Sequence, residues 1–366
     1  MNDTTTIPSF SIEAHPAPVP EADRIKALES LGFGKVFTDH MALVRWTPDK
    51  GWHDAKITAR KPLEIDPASA VLHYAQEIFE GMKAYKAEDG RILLFRPDQN
   101  ARRFAESATR MAMPPVPEAL FLKAVEELVS IDQAWVPSGD ASLYLRPFMF
   151  ANEAFLGVRP ALEYIFCVIA SPVGAYFKGG SKAVSLWVET GFTRAANGGT
   201  GAAKCGGNYA ASLVAQAEAS KRDCDQVVFL DAAEHRWVEE LGGMNVFFAM
   251  NDGSIVTPPL GGTILPGITR MSIITLAKEK GLTVEERPYS FDEWKADAAS
   301  GRMKEAFACG TAAVLAGIGT VRHADGEFKI GDGQTGELTQ SLRSELVSLQ
   351  RGVSQDARGW THQISL

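Results

Sequence analysis

The chain has 366 residues, of which 45% are apolar and 22% are charged, and its formal net charge is −8. This length exceeds one ordinary core and fits two domains of roughly 150–200 residues each. The acidic balance, without a Lys/Arg stripe, argues against a nucleic-acid partner because phosphate neutralisation needs a basic face.

The four cysteines are far apart in the sequence and form no C-x-x-C pair. In a chain this long they indicate free thiols in a reducing compartment, and they argue against a zinc site. No apolar stretch is long enough to span a membrane, and the first residues fit neither a secretory signal nor a transit peptide. We therefore expect a cytoplasmic protein without a bound metal ion and without a membrane partner.

After an N-terminal arm (1–35), the patterns predict a small α/β domain over 36–173. Apolar spacing of three and four predicts helices over 97–113 and 118–134. Alternation and β-branched content predict strands over 35–47, 142–151 and 163–171. The segment VLHYAQEIFEGMKAY (71–85) fits a short loop-to-helix stretch.

The Gly-, Pro- and Lys-rich segment 174–182 is the candidate linker, and 183–366 forms the predicted large α/β domain. Helices are predicted there over 209–222, 268–280 and 291–299. Strands are predicted over 183–189, 226–231, 237–250, 254–259 and 282–290, with a strand pair over 305–321 that breaks at Gly310. Both halves mix strands and helices without a regular βαβ rhythm, which indicates an α+β fold with mixed sheets.

Lys204 lies in GTGAAKCGGNY, where nearly every neighbour is Gly, Ala or Cys. Small neighbours let a flat ring approach the backbone, and a partly dehydrated amine is neutral enough to attack an aldehyde. The alternative is a surface lysine in a flexible glycine loop. Tyr209, in the first turn of the next helix, could hydrogen-bond a ring hydroxyl or simply be a half-buried helix-start tyrosine.

Glu239 and Glu240 stand side by side in an otherwise apolar strand pattern, so alternation points one of them inward. A buried carboxylate needs a partner. A protonated pyridine nitrogen and an arginine of the fold are equally good candidates for that partner. Gly242 and Gly243, which follow, could form a bulge or leave room for a ligand.

Two segments offer an anion site. Gly267, Ile268 and Thr269 begin a predicted helix, whose unpaired N–H groups attract anions. Thr311 adds a hydroxyl at the turn after Gly310, and Arg103 could add a charge-assisted contact, although a capped helix start and a solvated arginine are the plain alternatives.

Substrate contacts are predicted in the N-terminal half. Tyr144 and Arg146 share one face of a strand, which suits the capture of a carboxylate. Tyr74 and Phe79 could line an apolar pocket, although core packing is the commoner role of such rings.

Together these segments resemble the branched-chain amino acid aminotransferases, which are pyridoxal phosphate enzymes of fold type IV. The matching stretches include FEGMKAY, SLYLRPFMF, KCGGNY, EELGGMN, LPGITR and CGTAA, in the family's order from about residue 40 to 320. The resemblance implies two α/β domains with mixed sheets joined by a short loop. It also implies a homodimer and a reversible ping-pong transfer of the amino group between leucine, isoleucine or valine and 2-oxoglutarate.

By position, the resemblance makes Lys204 the catalytic amine, which carries pyridoxal phosphate as an aldimine. It assigns the remaining cofactor contacts to Arg103, Tyr209, Glu240, Leu265, Gly267, Ile268, Thr269 and Thr311, with Arg194 near the phosphate. It assigns the substrate contacts to Tyr74, Phe79, Tyr144, Arg146, Tyr176, Gly243, Met244, Thr311 and Ala312, with Leu156 and Val158 reaching the site of the neighbouring subunit.

Three alternatives remain at this level. One is a shorter fold-type-IV enzyme, such as a D-amino acid aminotransferase or an aminodeoxychorismate lyase. The second is a Schiff-base aldolase that uses the lysine without a cofactor. The third is an inactive binding protein that keeps the fold.

Overall fold

A computed structural model describes residues 7–174 and 182–366. The predicted substrate residue Tyr176 and nearly all of the predicted linker 174–182 lie outside the described residues. Among the residues that are described, no helix has both the length and the apolar character needed to cross a bilayer.

The elements before the gap are β1 (Ser11–Ile12), α1 (Glu21–Glu29), β2 (His40–Thr47), β3 (Gly51–Ala59), α2 (Ala70–Tyr74), β4 (Glu77–Phe79), β5 (Met82–Lys86), β6 (Ile92–Phe95), α3 (Pro97–Arg110), α4 (Glu118–Ile131), β7 (Ser142–Ala151) and β8 (Tyr164–Val173). Those after it are β9 (Val184–Glu189), α5 (Gly206–Lys221), β10 (Gln226–Leu230), β11 (Val238–Leu241), β12 (Asn245–Met250), β13 (Ser254–Thr257), α6 (Ile268–Glu279), β14 (Thr283–Glu286), α7 (Phe291–Ser300), β15 (Met303–Gly310), β16 (Val314–His323), β17 (Gly326–Lys329), α8 (Glu337–Gln350) and β18 (Thr361–Gln363).

These elements form two compact units. The first contains the described residues up to 174, the short segment Ala203–Gly206 and the C-terminal segment Leu349–Leu366. The second contains 182–202 and Gly207–Ser348. The boundaries drawn from sequence stay a prediction. One difference is clear: the predicted large domain runs to 366, whereas β18 pairs with β6 of the first unit.

The first unit is built on a mixed sheet in the order β1-β3-β2-β8-β7-β5-β6-β18, with β4 paired to β7. Strands β7 and β8 stay in register over ten residue pairs, from Ser142↔Val173 to Ala151↔Tyr164. Helices α3 and α4 bury apolar side chains such as Phe104 and Phe121 in the same cluster as residues of these strands. Burial of apolar side chains of this size is the main stabilising contribution to such a core.

The second unit is built on a mixed sheet in the order β11-β10-β9-β16-β15-β12-β13-β14, with β17 paired to β16. Strand β9 runs parallel to both of its neighbours, β10 and β16. Strand β15 runs antiparallel to both of its neighbours, β12 and β16. Tyr289 and Trp294 are fully buried against Phe248. The predicted α+β class with two mixed sheets is confirmed.

Two local predictions were wrong. The stretch 71–85 is not a loop that leads into a helix: the short α2 comes first, and the extended strands β4 and β5 follow. The predicted strand 237–250 is divided by a turn at Gly242 and Gly243 into β11 and β12, which pair with different strands, β10 for the first and β13 and β15 for the second. Leu241 N–H donates to Met244 O across this turn at 2.9 Å.

Candidate active site

Helix α3 places Asn100, Arg103 and Ser107 on one buried face of the first unit. Residues three and four apart are neighbours on a helix, so this spacing collects three polar side chains in one row. Pro97 occupies the first turn, where its missing N–H costs nothing, and Asp98 there favours the positive end of the helix dipole.

The side chain of Arg103 binds the carboxylate of Glu80, which has no exposed side-chain surface. Arg103 Nε lies 2.7 Å from Glu80 Oε1 and Nη2 lies 2.8 Å from Oε2. Asn100 Nδ2 donates to Oε2 at 2.7 Å, and Gly81 N–H donates to the same oxygen at 3.1 Å. The plain alternative for Arg103, a solvated arginine, is therefore wrong.

Burial is the largest single influence and would raise the pKa of Glu80, but the charge and hydrogen bonds of Arg103 and its other partners together lower that pKa below its usual range. The charge of Lys204 and the hydrogen bond from Asn100 act in the same direction. A carboxylate held ionised in this way fixes the orientation of the arginine that it binds.

Lys204 belongs to the first unit and is half-buried. Its backbone N–H donates to Ser107 Oγ at 3.0 Å, and its carbonyl accepts from Phe79 N–H at 2.9 Å. Its Nζ lies 4.9 Å from the centre of the Phe79 ring. The alternative of a surface lysine in a flexible loop does not describe this residue.

Tyr144 and Arg146 lie on one face of β7, as the sequence predicted, and Arg146 Nη2 donates to Tyr144 Oη at 3.2 Å. The guanidinium of Arg146 also lies 4.8 Å from the centre of the Phe79 ring. Phe79 therefore contacts both the amine of Lys204 and the guanidinium of Arg146. Gly81 is required beside Tyr144, because a Cβ at position 81 would overlap the tyrosine hydroxyl.

Three further predicted substrate residues lie at the surface of the first unit. Tyr74, at the end of α2, is 36% exposed and its ring centre is 6.4 Å from that of Phe155. Leu156 and Val158 are 70% and 89% exposed. These two side chains thus present apolar surface to solvent in the described part of the chain.

In the second unit both Glu239 and Glu240 are buried, whereas alternation predicted that one of them would face inward. Glu240 Oε1 lies 2.5 Å from Arg194 Nη2, which realises the predicted alternative of an arginine partner. Leu265 N–H donates to the same oxygen at 3.0 Å, and Asn245 Nδ2 donates to Oε2 at 3.2 Å.

Glu239 is the less well satisfied of the two carboxyl groups. Its Oε1 accepts the Thr263 hydroxyl at 2.6 Å, while its Oε2 is buried without a hydrogen-bond partner in the described part of the chain. Burial raises the pKa of Glu239, and the bond from Thr263 and the charge of Arg194 oppose that rise only in part.

Helix α6 begins where the sequence predicted, with Gly267 as its cap and Ile268 and Thr269 buried in the first turn. Gly267 has no side-chain capping bond, so the first N–H groups of the helix remain suited to an anion. Gly267 also packs closely on Asn245, since a Cβ at 267 would overlap Asn245 Oδ1.

The pairing Asn245↔Cys309 sets the turn at Gly243 beside the turn that follows Gly310. A Cβ added at Gly310 would lie 3.3 Å from Met244 Cγ, and one added at Gly243 would lie 3.8 Å from the Tyr209 ring. The fold of the second unit thus brings together several of the predicted site residues, and Thr311 and Ala312 lie half-buried in the second turn.

Sequence reasoning missed the residues that support the predicted ones. Glu80, Asn100 and Ser107 in the first unit, and Asn245 and Thr263 in the second, each bond a predicted residue or its neighbour. The spacing of Asn100, Arg103 and Ser107 was readable as one helical face. No signal linked Glu80 to Arg103, which are 23 positions apart.

The described residues contain no cluster of His, Cys, Asp and Glu that could hold a metal ion. The first unit instead offers an arginine, a buried carboxylate and an amine, and the second unit offers an arginine, a helix N-terminus, hydroxyl groups and two buried carboxyl groups. This set suits an anionic phosphate, a protonated ring nitrogen and an aldehyde carbon, which are the functional groups of pyridoxal phosphate.

Comparisons with known proteins agree with this chemistry. A family model described as amino-transferase class IV matches residues 77–321. The branched-chain-amino-acid aminotransferase of Mycolicibacterium smegmatis is 52% identical over 361 residues, which cover 97% of this chain and 98% of that protein.

Solved structures give the same result for the fold. The branched-chain amino acid aminotransferase of Escherichia coli matches with a TM-score of 0.75 and 26% identity, over 89% of this chain and 99% of that one. The branched-chain aminotransferase of the archaeon Thermoproteus uzoniensis, solved with norvaline, matches with a TM-score of 0.74 and 25% identity, over 88% and 100%. The chain therefore belongs to the class IV aminotransferases, within their branched-chain-amino-acid group.

Proposed function

We propose that the protein transfers an amino group reversibly between L-leucine, L-isoleucine or L-valine and 2-oxoglutarate, with pyridoxal 5′-phosphate bound covalently to Lys204. The observation that carries this proposal is the placement of Lys204: its backbone is bonded on both sides and its amine lies against Phe79, whose ring also contacts Arg146. The names of the relatives supply the substrate class.

The cofactor contacts follow from the donor chemistry. Arg103 and the N-terminus of α6, with Ile268, Thr269, Gly267 and Thr311, would hold the phosphate. Glu240 would bind the ring nitrogen and Tyr209 the ring hydroxyl, while Leu265 would pack on the ring. Arg194 binds Glu240 directly, so we assign it to that carboxylate rather than to the phosphate. When bound, pyridoxal phosphate supplies an aldehyde that links to amines and a ring that withdraws electrons from the substrate Cα.

Lys204 would act as the acid and base of both half-reactions. After the amino group of the substrate has replaced Lys204 on the cofactor, the freed Nζ would take the proton from Cα of the incoming amino acid, and in the second half-reaction it would return a proton to Cα of the acceptor. The oxo acid leaves before the second substrate binds, which gives ping-pong kinetics. Phe79 keeps the amine next to an apolar ring, where water competes less for the proton.

Tyr144 and Arg146 would bind a substrate carboxylate, Arg146 chiefly the second carboxylate of glutamate. The backbone of Thr311 and Ala312 would bind the carboxylate next to Cα. Phe79, Tyr74, Tyr176, Gly243 and Met244 would form the apolar side-chain pocket. One methylene is worth only about 1–3 kcal/mol in such a pocket, so overlap among the three amino acids is expected.

Exposed Leu156 and Val158 support a homodimer in which these side chains reach the partner subunit. The four cysteines are free and buried, which fits the cytoplasmic location proposed from sequence.

The proposal is tested by borohydride reduction of the purified protein followed by peptide mapping. The proposal predicts an absorption band near ~410–430 nm that disappears on reduction and a cofactor label on Lys204. Lys204→Ala should abolish the label and leave transfer from leucine to 2-oxoglutarate at background level. D-alanine and aminodeoxychorismate should be poor substrates. A label on another lysine, or native activity in Lys204→Ala, would refute the assignment.

A further inference from the structure

The main chain around Lys204 is bonded at three points by side chains or backbone of the first unit. Ser107 Oγ accepts the N–H of Lys204 at 3.0 Å, and Phe79 N–H donates to its carbonyl at 2.9 Å. Two residues further on, the carboxylate of Glu77 accepts the N–H of Gly206. Two of these contacts come from strand β4 and one comes from helix α3, so the lysine backbone is fixed by two separate elements.

The hydrogen bond between Glu77 and Gly206 satisfies a backbone amide that apolar packing alone could not satisfy. Gly206 is the first residue of α5, so its amide has no acceptor inside the helix. Glu77 supplies that acceptor from a distant part of the sequence, 129 positions away. A carboxylate in this role gives a charge-assisted bond, which is stronger than a bond between neutral groups.

Glycine at position 206 is part of the same arrangement. A Cβ there would overlap the Glu77 carboxylate, so the contact can close only because residue 206 has no side chain. Glu77 is half-buried, and this burial raises its pKa, whereas the Gly206 amide and the charge of Arg146 lower it. The carboxylate is therefore partly dehydrated, and a backbone N–H and the charge of a guanidinium both stabilise its ionised form.

We propose that Glu77 is a positioning residue for Lys204: through the Gly206 amide it fixes the backbone that carries the reactive amine, so that Nζ stays over the Phe79 ring. This inference rests on the role proposed above for Lys204. The contact runs to the main chain of Gly206 and not to the lysine amine, so Glu77 acts on the reaction through geometry.

Arg146 offers a second mode of action, because its charge also acts on Glu77. Glutamine separates the two modes. Glu77→Gln keeps a carbonyl oxygen that can accept a hydrogen bond from Gly206 N–H, but it removes the negative charge that interacts with Arg146. Glu77→Ala removes both. The exposed Glu106, on α3 next to Ser107, offers Glu106→Ala as a matched loss of one carboxylate.

The first measurement is hydrogen exchange of the Gly206 amide in the full-length protein as purified, detected by mass spectrometry. Loss of one hydrogen bond should speed exchange in Glu77→Ala by about 5–10-fold, while Glu77→Gln and Glu106→Ala stay within about twofold of the parent. Circular dichroism of all variants checks that each is folded. If the Gly206 amide exchanges at the same rate in Glu77→Ala as in Glu106→Ala, the proposal is overturned.

The second measurement is the rate at which pyridoxal phosphate becomes trappable by borohydride on Lys204. We expect about a tenfold slower rate and a similar fall in kcat for Glu77→Ala, with KM for leucine within about twofold, and recovery in Glu77→Gln. A Glu77→Gln protein as slow as Glu77→Ala would assign the effect to Arg146 and contradict the backbone role.

A double substitution gives an independent check. Gly206→Ala should displace the carboxylate, so the Glu77→Ala/Gly206→Ala protein should be no slower than the slower single variant. Additive losses would show that the two residues act separately, against the proposal. If wild-type Lys204 takes no label at all, the proposed function fails, whereas the exchange rates still decide whether Glu77 fixes this backbone.

Discussion

Each unit contains a buried pair of a glutamate and an arginine built to the same plan, and the two pairs differ in the charges that surround them. The Glu80–Arg103 pair lies in the first unit and the Glu240–Arg194 pair lies in the second, with closest distances of 2.7 and 2.5 Å. Each carboxylate also accepts one asparagine Nδ2 and one backbone N–H. The hydrogen bonds from these extra donors offset part of the free-energy cost of desolvation, which makes an isolated buried ion pair unfavourable.

The difference lies in the charge around each pair. Near Glu80 there are two cationic groups, Arg103 and Lys204, for one carboxylate. Near Arg194 there are two carboxyl groups, Glu239 and Glu240, for one guanidinium. The first cluster therefore favours an anion such as a phosphate, and the second favours a cation such as a protonated ring nitrogen. The same local plan thus produces a different electrostatic preference in each unit.

The largest effect should come from breaking the first pair. Glu80→Ala leaves Arg103 buried without its carboxylate and should lower the free energy of unfolding by about 3–5 kcal/mol, as measured by denaturant titration. Because the folded pKa of Glu80 lies below its unfolded value of about 4.3, its stabilising contribution is present above about pH 4.3 and disappears as pH falls through the folded pKa. Glu80→Gln should therefore lose less stability in acid than the parent.

Replacing both Glu80 and Arg103 by methionine is the control for that experiment. Apolar side chains of similar volume should restore stability relative to Glu80→Ala, while cofactor affinity stays low because the phosphate ligand is gone. A single variant within about 1 kcal/mol of the parent would contradict the structural role of the pair.

The second pair should affect chemistry more than stability. Glu240→Gln removes the anion expected at the ring nitrogen and should lower kcat/KM by about 100-fold or more. Arg194→Met removes only the residue that holds this carboxylate, and should cost about 10–100-fold, as outer-shell partners of metal ligands do. An Arg194→Met protein with unchanged kcat/KM would show that Glu240 needs no such support.

A glycine next to the second pair offers a smaller change. Gly267→Ala places a Cβ against Asn245 Oδ1 and must displace the side chain that donates to Glu240. Overpacking of this kind costs typically about 1–3 kcal/mol. Thermal unfolding and the cofactor absorbance should both change. A shift in stability without any spectral change would separate Asn245 from the cofactor site.

The smallest effect is expected at Glu239, the carboxyl group with one unsatisfied oxygen. Its folded pKa lies above the unfolded value, so its ionisation is destabilising, and the cost grows as pH rises from about 4.3 through the folded pKa. Glu239→Gln should raise Tm by up to about 2 °C at about pH 8 and leave it unchanged at about pH 4. A larger gain in acid than in base would reverse this interpretation.

Most elements were predictable because their patterns are local. Helix α3 follows from spacing three and four and from Pro97, and β7 and β8 follow from long runs of apolar residues. The stretch 71–85 failed because Tyr74, Ile78, Phe79 and Met82 sit at helical spacing, whereas pairing of β4 and β5 with β7 imposes extended backbone. Tertiary pairing overrode the local period.

The candidate site divides in the same way. By itself the sequence determined the residue types that can react: an amine among small neighbours, a helix start suited to an anion, and two adjacent acids in an apolar strand. Only the tertiary structure decided which partners hold each group within its own unit, because bonds such as those to Arg103, Lys204 and Gly206 join residues 23 to 129 positions apart. Glu80 and Glu77 belong to no pattern that the sequence shows, and the packing of segment 77–80 against α3 and the start of α5 puts them against Arg103 and Gly206.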